Sequence, residues 1–300
     1  MTLGELAAFG AAISWTFSAM FYRKALQETK PVVANIIRLT CTGGILFLIV
    51  IAIGKISVLA SLPAEALMLA GFSGIIGLGF GDTLYMVSLK RIGVVRAVPI
   101  TCIYPLFTLL WAIILAGEEI TVSICLGAIA VVLGTWLLSR ETENEASPLE
   151  KRNLLVGVTC ALATAAIWSI SITMMDLAVT LPEKSGIDNA LAVNTIRVMT
   201  IAVSLLALSP VLDRERSFLK VRKRTIATLI AGGVVALGLG WFLLSYSFTE
   251  IPESRAVPIS STTPLFSALV GMVFLHEKVT KRDALGSIVI VAGIFFLFLV

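Results

Sequence analysis

"RAVPI" occupies residues 96–100 and recurs letter for letter at 255–259, and each copy is followed by "PLF", at 105–107 and 264–266. The copies stand 159 positions apart. Sliding the chain on itself by that distance lays "NIIR" (35–38) on "NTIR" (194–197), "YPLF" (104–107) on "TPLF" (263–266) and "GEEIT" (117–121) on "HEKVT" (276–280). Gly127 falls on Gly286 and Gly134 on Gly293, and the register holds without a gap from Asn35 to Leu138. Earlier, "AAISW" (11–15) matches "AAIWS" (165–169) at a slightly different offset. The chain therefore reads as two copies of one unit, residues 1–138 and 154–300, joined by the polar linker 139–153.

Composition fixes the solvent. Hydrophobic residues make up 58% of the chain and charged residues 14%, with a mean hydropathy of +0.99. So few polar side chains cannot cover a water-soluble globule. Apolar stretches long enough to cross about 30 Å of hydrocarbon as helices fall near 3–22, 33–53, 65–88, 97–116, 121–138, 154–177, 189–209, 225–247, 256–275 and 282–300. The expected fold is an all-α integral membrane protein of ten transmembrane helices. The first stretch, with no basic residue before it and no clear cleavage site, reads as a retained span rather than a signal peptide.

Each unit then holds five spans. An odd number leaves the chain on the opposite side of the membrane, so the second copy must be inverted, and the charges test this independently. Lys55 stands alone after span 2, whereas Arg214, Arg216, Lys220, Arg222, Lys223 and Arg224 follow span 7. Arg23, Lys24 and Lys30 follow span 1, against Lys184 after span 6; Lys90, Arg91 and Arg96 follow span 3, against Arg255 after span 8. Nothing basic follows span 4, but Lys278, Lys281 and Arg282 follow span 9. With Arg140, Lys151 and Arg152 of the linker, one face carries eighteen basic residues and the other three. Basic loops stay in the cytoplasm, which orients the protein in the cytoplasmic membrane with both termini outside. The net charge of +4 is mainly this topology signal, and no aromatic-interleaved basic patch points to nucleic acid.

Enzyme chemistry finds little footing. His276 is the sole histidine and sits at a span end; there is no G-x-S-x-G and no HExxH. Cys41, Cys102, Cys125 and Cys160 fall within spans without CxxC spacing and read as small apolar fillers, so no metal and no cofactor is expected. Inverted repeats instead place a site near the midplane and support alternating access.

Within the spans, Pro99 and Pro105, and in the second copy Pro258 and Pro264, each remove a backbone donor. Freed carbonyls need protein or water as partners, since lipid offers none. Thr101, Cys102 and Tyr104 lie between or beside the first pair, and Ser260, Ser261, Thr262 and Thr263 beside the second. These segments read as kinked, cavity-lining helices, the alternative being hydroxyls bonded back to their own helix. Ser14, Trp15 and Ser18 of span 1 answer Trp168, Ser169 and Ser171 of span 6, and Tyr85 of span 3 is joined by Trp241 and Tyr246 of span 8. Such residues suit either helix packing or a cavity for an amphipathic small molecule. The glycines of spans 3 and 8 have small-xxx-small spacings and read as packing surfaces or as hinges.

Three charges lie inside the hydrocarbon slab. Arg38 and Arg197 either pair, snorkel or meet substrate. Asp82, in "GFGD" (79–82), has Trp241 rather than an acid at its counterpart position. It is a structural acid bonded to a neighbouring helix or a coupling group that carries a proton across.

The arginine near the start of spans 2 and 7, the proline-containing starts of spans 4 and 9, and the acid after each (Glu118, Glu277) resemble the EamA type of the drug/metabolite transporter superfamily, ten-span proteins with two five-span repeats. The resemblance covers nearly the whole chain and implies transport of small metabolites, with export as the direction. Members are often drawn with cytoplasmic termini, whereas the charges here argue the reverse. The expected function is a secondary transporter for amino acids or related amphipathic solutes, driven by protons or a counter-solute and acting as monomer or homodimer. The alternatives are a passive facilitator, a lipid-handling protein or, less favoured, an intramembrane enzyme.

Overall fold

The computed structural model describes residues 1–111, 121–139, 148–182 and 186–297. Glu118, Arg140 and Lys184 lie outside them. The described residues form helices and no strand. In the first half these are α1 (Leu3–Ala25), α2 (Pro31–Ala52), the short α3 (Ile56–Ser61), α4 (Ala64–Ser73), α5 (Asp82–Thr101), α6 (Tyr104–Trp111) and α7 (Val122–Ser139). The second half continues with α8 (Pro148–Thr180), α9 (Ile187–Leu212), α10 (Lys223–Gly233), α11 (Trp241–Glu250), α12 (Glu253–Ser260), α13 (Thr263–Leu275) and α14 (Lys281–Leu297). Helix α8 already begins at Pro148, so the last six residues read as linker are helical.

Among the described residues six helical stretches are long and apolar enough to cross a membrane: Pro31–Ala52, Ala64–Trp111, Leu149–Thr180, Ile187–Leu212, Lys223–Glu250 and Glu253–Leu275. One of them, Ala64–Trp111, runs 48 residues, which at 1.5 Å per residue is about twice the hydrocarbon thickness. It is interrupted at Gly93, whose φ of 77° lies where a side chain would clash and glycine does not. A fresh helical turn starts there, and Glu277 caps it: its carboxylate accepts from the Val94 and Val95 amides at 2.9 and 3.0 Å. A second break at Cys102–Ile103 separates α5 from α6, and Ser261–Thr262 separates α12 from α13 in the same way. Pro99 and Pro258 sit inside the helices before these breaks, while Pro105 and Pro264 open the helices after them, where a missing N–H costs nothing.

Sequence reasoning did not foresee two π-helical stretches, π1 (Gly74–Gly81) between α4 and α5 and π2 (Val234–Gly240) between α10 and α11. A π-turn loosens the helical ladder and is a frequent mark of functional segments. One asparagine serves each: Asn35 Nδ2 donates to the Leu78 carbonyl at 3.0 Å and Asn194 Nδ2 to the Leu237 carbonyl at 2.8 Å. Donor and acceptor are both 159 positions apart from their counterparts.

The halves interleave. α1 packs on α10, α11 and α13, α2 on α9, α5 on α8, and α7 on α14. Charged loop residues gather at the bundle ends. At one end Arg23 Nε meets Glu277 at 3.2 Å, Arg96 meets Asp283 at 3.1 Å, Arg91 donates to Asn153, and Thr225 donates to Glu28. The other contacts join Lys55 to Asp188 at 2.5 Å and Arg255 to Glu5 at 2.9 Å.

Candidate functional site

Between the halves lies a narrow cavity walled by α1, α2, α5, α6, α8, π2, α11 and α13. The centres of water-sized spheres have about 40 Å³ to move in it, several times the roughly 10–15 Å³ one water needs. A few waters fit in the space as it stands.

Indoles and phenols make the wall. Trp168 is its hub, with ring centroids 5.2 Å from Tyr85, 6.3 Å from Trp241 and 6.5 Å from Tyr104, and Trp15 stacks on Trp241 at 5.0 Å. Spacings of this kind suit tilted and edge-on aromatic pairs. Tyr104 Oη and Ser260 Oγ share a hydrogen bond of 2.7 Å that ties α6 to α12.

Charge enters through one pair. Arg38 and Asp82 are 1% and 2% exposed and form a direct salt bridge at the cavity wall. The remaining bonding capacity is filled deliberately: Arg38 Nε donates to Asn35 Oδ1 at 2.9 Å, its guanidinium lies 4.7 Å over the Tyr22 ring, and Trp168 Nε1 donates to the other Asp82 oxygen at 2.9 Å. A buried pair resists its desolvation penalty only with such further bonds. The partner read for Asp82 as "a neighbouring helix" is therefore Arg38 of α2 together with Trp168 of α8.

Arg197 is also fully buried, but it meets no carboxylate at ion-pair distance among the described residues. Its Nε donates to Ser73 Oγ at 2.9 Å, one terminal nitrogen contacts Ser171 Oγ at 3.2 Å and the other Met175 Sδ at 2.6 Å. The guanidinium lies 4.6 Å under the Trp241 ring, which separates it from the cavity.

Of the residues singled out from sequence, Trp15, Ser18, Arg38, Asp82, Tyr85, Thr101, Tyr104, Trp168, Trp241 and Thr263 line the cavity. Four of the expected substrate contacts do not. Ser14 bonds back to the Gly10 carbonyl at 2.8 Å, Ser171 is taken up by Ser73 and Arg197, and Ser260 stands behind Tyr104. Tyr246 follows Trp241 by five residues, about 140° around a helix, and cannot share its face. Tyr22, Val98, Ile172 and Ala236 line the cavity without having been singled out, and Cys102 lines it as a member of the kinked segment. Cys102, read as a filler, does so because the helix break beside it exposes that turn. Nothing in the sequence distinguished Ile172 or Ala236 from other apolar span residues.

Among the described residues no three His, Cys, Asp or Glu side chains gather as a metal site would require. The wall offers aromatic faces, a few hydroxyls and one ion pair, a set suited to holding a solute rather than transforming it.

Comparison with known proteins agrees. An uncharacterized transporter of Archaeoglobus fulgidus is 26% identical over 289 residues, covering 96% of this chain and 95% of its own length. A Lactobacillus johnsonii protein named, provisionally, for ribose uptake is 25% identical over 74% of this chain and 75% of its own. A Streptantibioticus cattleyicolor protein named, again provisionally, a terminal-alkyne amino-acid exporter is 25% identical over 43% of each chain. A solved crystal structure superposes with a TM-score of 0.68 at 22% identity, covering 98% of this chain and 95% of the other, which shows a shared fold. The model of the EamA-like transporter family matches residues 2–140 and again residues 155–299, so this chain belongs to the EamA-like transporter family and is a membrane transporter, not an enzyme.

Proposed function

We propose that the chain is a ten-span secondary carrier of small amphipathic metabolites, amino acids or close relatives, working by alternating access between two inverted halves. The observation that carries the reading is the narrow aromatic cavity at the meeting of the halves, with a complete ion pair in its wall. Indole and phenol faces accept an apolar side chain, and a guanidinium beside a carboxylate complements a zwitterion's two charges. The two π-segments, each served by an equivalent asparagine, π1 ending next to Asp82 of the wall and π2 contributing Ala236 to it, supply matched places for the halves to exchange conformations. Asp82 is the proposed coupling group: separating it from Arg38 frees a carboxylate to carry a proton between faces. Export as the direction rests on the family resemblance alone, since two relatives are named for opposite directions.

Purified protein in liposomes tests this. Saturable uptake of a labelled solute, accelerated when the same solute is loaded on the far side, is the expected result for an amino-acid panel. Flux that rises linearly with concentration and ignores the far side would identify a passive path instead.

Orientation has its own test. The loop contacts support basic loops on one face: Arg23, Lys90, Arg91, Arg96 and Arg222 all meet partners from loops assigned to the cytoplasm, and Lys55 and Arg255 meet partners assigned outside. Single cysteines at Ser57 and Glu215, both exposed, in a cysteine-free background should react oppositely with an impermeant thiol reagent in intact cells. Position 57 should label and 215 should stay protected; the reverse pattern would place the termini inside.

A further inference from the structure

The 159-residue register pairs Arg38 with Arg197 and Asp82 with Trp241. Trp15 of α1 and Trp168 of α8, one position out of step in the sequence match, are equivalent in their packing, for each indole rests on an equivalent glycine: a Cβ on Gly81 would stand 2.9 Å from Trp168, and one on Gly240 would stand 2.7 Å from Trp15 Nε1. On one side of the repeat axis an arginine and the other half's indole converge on a carboxylate: Arg38 and the Trp168 N–H both bind Asp82. On the equivalent side the matching donors are present without it: Arg197 meets no carboxylate, and Trp15 Nε1 is buried with no hydrogen-bond partner among the described residues. Between them stands the Trp241 ring, in contact with both.

Two costs coincide there. A fully buried guanidinium without a counter-ion and a buried N–H without an acceptor are each unfavourable. Three contacts, to two serine hydroxyls and a thioether, occupy three of the five guanidinium N–H groups and bring no negative charge. Asp82 in the cavity wall is taken up by Arg38, and Arg197, behind the Trp241 ring, has no carboxylate at ion-pair distance among the described residues. A cation over an indole face is a weaker substitute for an ion pair, so Trp241 suits the part of a displaceable cover.

We propose that Arg197 and the Trp15 indole N–H form a second carboxylate-binding subsite, covered by Trp241 in this conformation, which takes the carboxylate of a small substrate as the cavity opens. The substrate carboxylate completes this pair of donors as Asp82 completes Arg38 and Trp168. The inference rests on the carrier reading of the cavity and assigns its substrate class: solutes bearing a carboxylate next to an apolar group. A neutral sugar lacks the complementary charge.

The test uses the full-length protein in detergent and two probes of equal shape, hydrocinnamate and its neutral amide, with thermal shift and tryptophan fluorescence as readouts. The aromatic ring of both suits the cavity wall, so their difference reports the carboxylate. The wild type should prefer the carboxylate by about tenfold or more, the worth of charge-assisted hydrogen bonds. Arg197→Gln should bring the two probes to parity, Arg197→Lys should keep part of the preference, and Trp15→Phe, which keeps the ring and loses the donor, should reduce it severalfold. Should Arg197→Gln fail to fold, Trp15→Phe and Arg197→Lys decide. Equal or absent binding of the two probes by the wild type overturns the subsite. So does a preference that survives in Trp15→Phe and Arg197→Lys unchanged, or one that vanishes only in Arg38→Gln. Flux measurements separate this from the carrier reading: carboxylate-selective binding without saturable flux in liposomes sinks the carrier and leaves the subsite standing, while saturable flux indifferent to carboxylates does the opposite.

Discussion

Replacing Asp82 with alanine should cost the protein about 3–5 kcal/mol of stability, the usual penalty for stripping one partner from a buried ion pair, and should abolish solute flux. Both partners are almost wholly inaccessible, so solvent cannot rescue Arg38. The guanidinium would keep only Asn35 and the Tyr22 face, and the Trp168 N–H would lose its acceptor. Asp82→Asn should separate the two roles. The amide oxygen of asparagine replaces only one of the two carboxylate oxygens and accepts from either Arg38 or Trp168, so the protein should fold, below wild-type stability, and exchange solute at equal pH, but it cannot take up and release a proton. Acceleration of flux by a pH gradient should disappear in the asparagine variant while thermal stability falls less than in the alanine variant. An Asp82→Asn protein that responds to the gradient as the wild type does would remove Asp82 from the coupling role. An Asp82→Ala protein that melts with the wild type would show that the pair carries little of the fold.

How much of this was legible in the sequence varies from residue to residue. The repeat was, because both copies kept the same letters at cap and kink positions, and the π-segments and their asparagines now fall on that register. Trp15 and Trp168 stood out because tryptophans deep inside spans are seldom there for the interface. The Arg38–Asp82 pair was hidden: 44 positions separate its members, the second copy offers Arg197 without an acid, and no pattern within one helix links them. The glycine-rich runs read as close packing, which they are. That they also loosen into π-turns depends on which carbonyls a neighbouring helix satisfies, a fact of tertiary structure. Lys90, Arg91 and Arg96 marked the boundary between spans 3 and 4 in the sequence, but that the helix breaks at Gly93 itself was hidden, because its cap, Glu277, binds Val94 and Val95 from 183 and 182 positions away.

Gly74→Ala should be the most damaging one-carbon change in the bundle. Gly74 opens π1 against α9, and a Cβ built there would stand 2.2 Å from the Arg197 carbonyl oxygen, 2.9 Å from its carbonyl carbon and 3.1 Å from its Cα. All three are backbone atoms, so no side-chain rotation relieves the clash and π1 or α9 must move bodily. Ordinary overpacking costs about 1–3 kcal/mol, and a rigid backbone on both sides puts this case at the upper end or beyond. The displacement also reaches the site: Ser73, the preceding residue, accepts from Arg197 Nε and is hydrogen-bonded to Ser171 through both its hydroxyl and its carbonyl, so the buried guanidinium would lose its hydroxyl partners as the helices part. The equivalent Gly233 predicts a milder outcome, since its nearest obstacle is Thr42 Oγ1 at 2.3 Å, a side-chain atom with no bond to lose. Gly44, with nothing within 4 Å, is the control, and alanine there should be neutral or gain up to about 1 kcal/mol from helix propensity. The expected order of thermal stability is therefore Gly44→Ala above Gly233→Ala above Gly74→Ala. Coincident melting of the three variants would mean that the α4–π1 segment does not approach α9 as closely as its glycine allows.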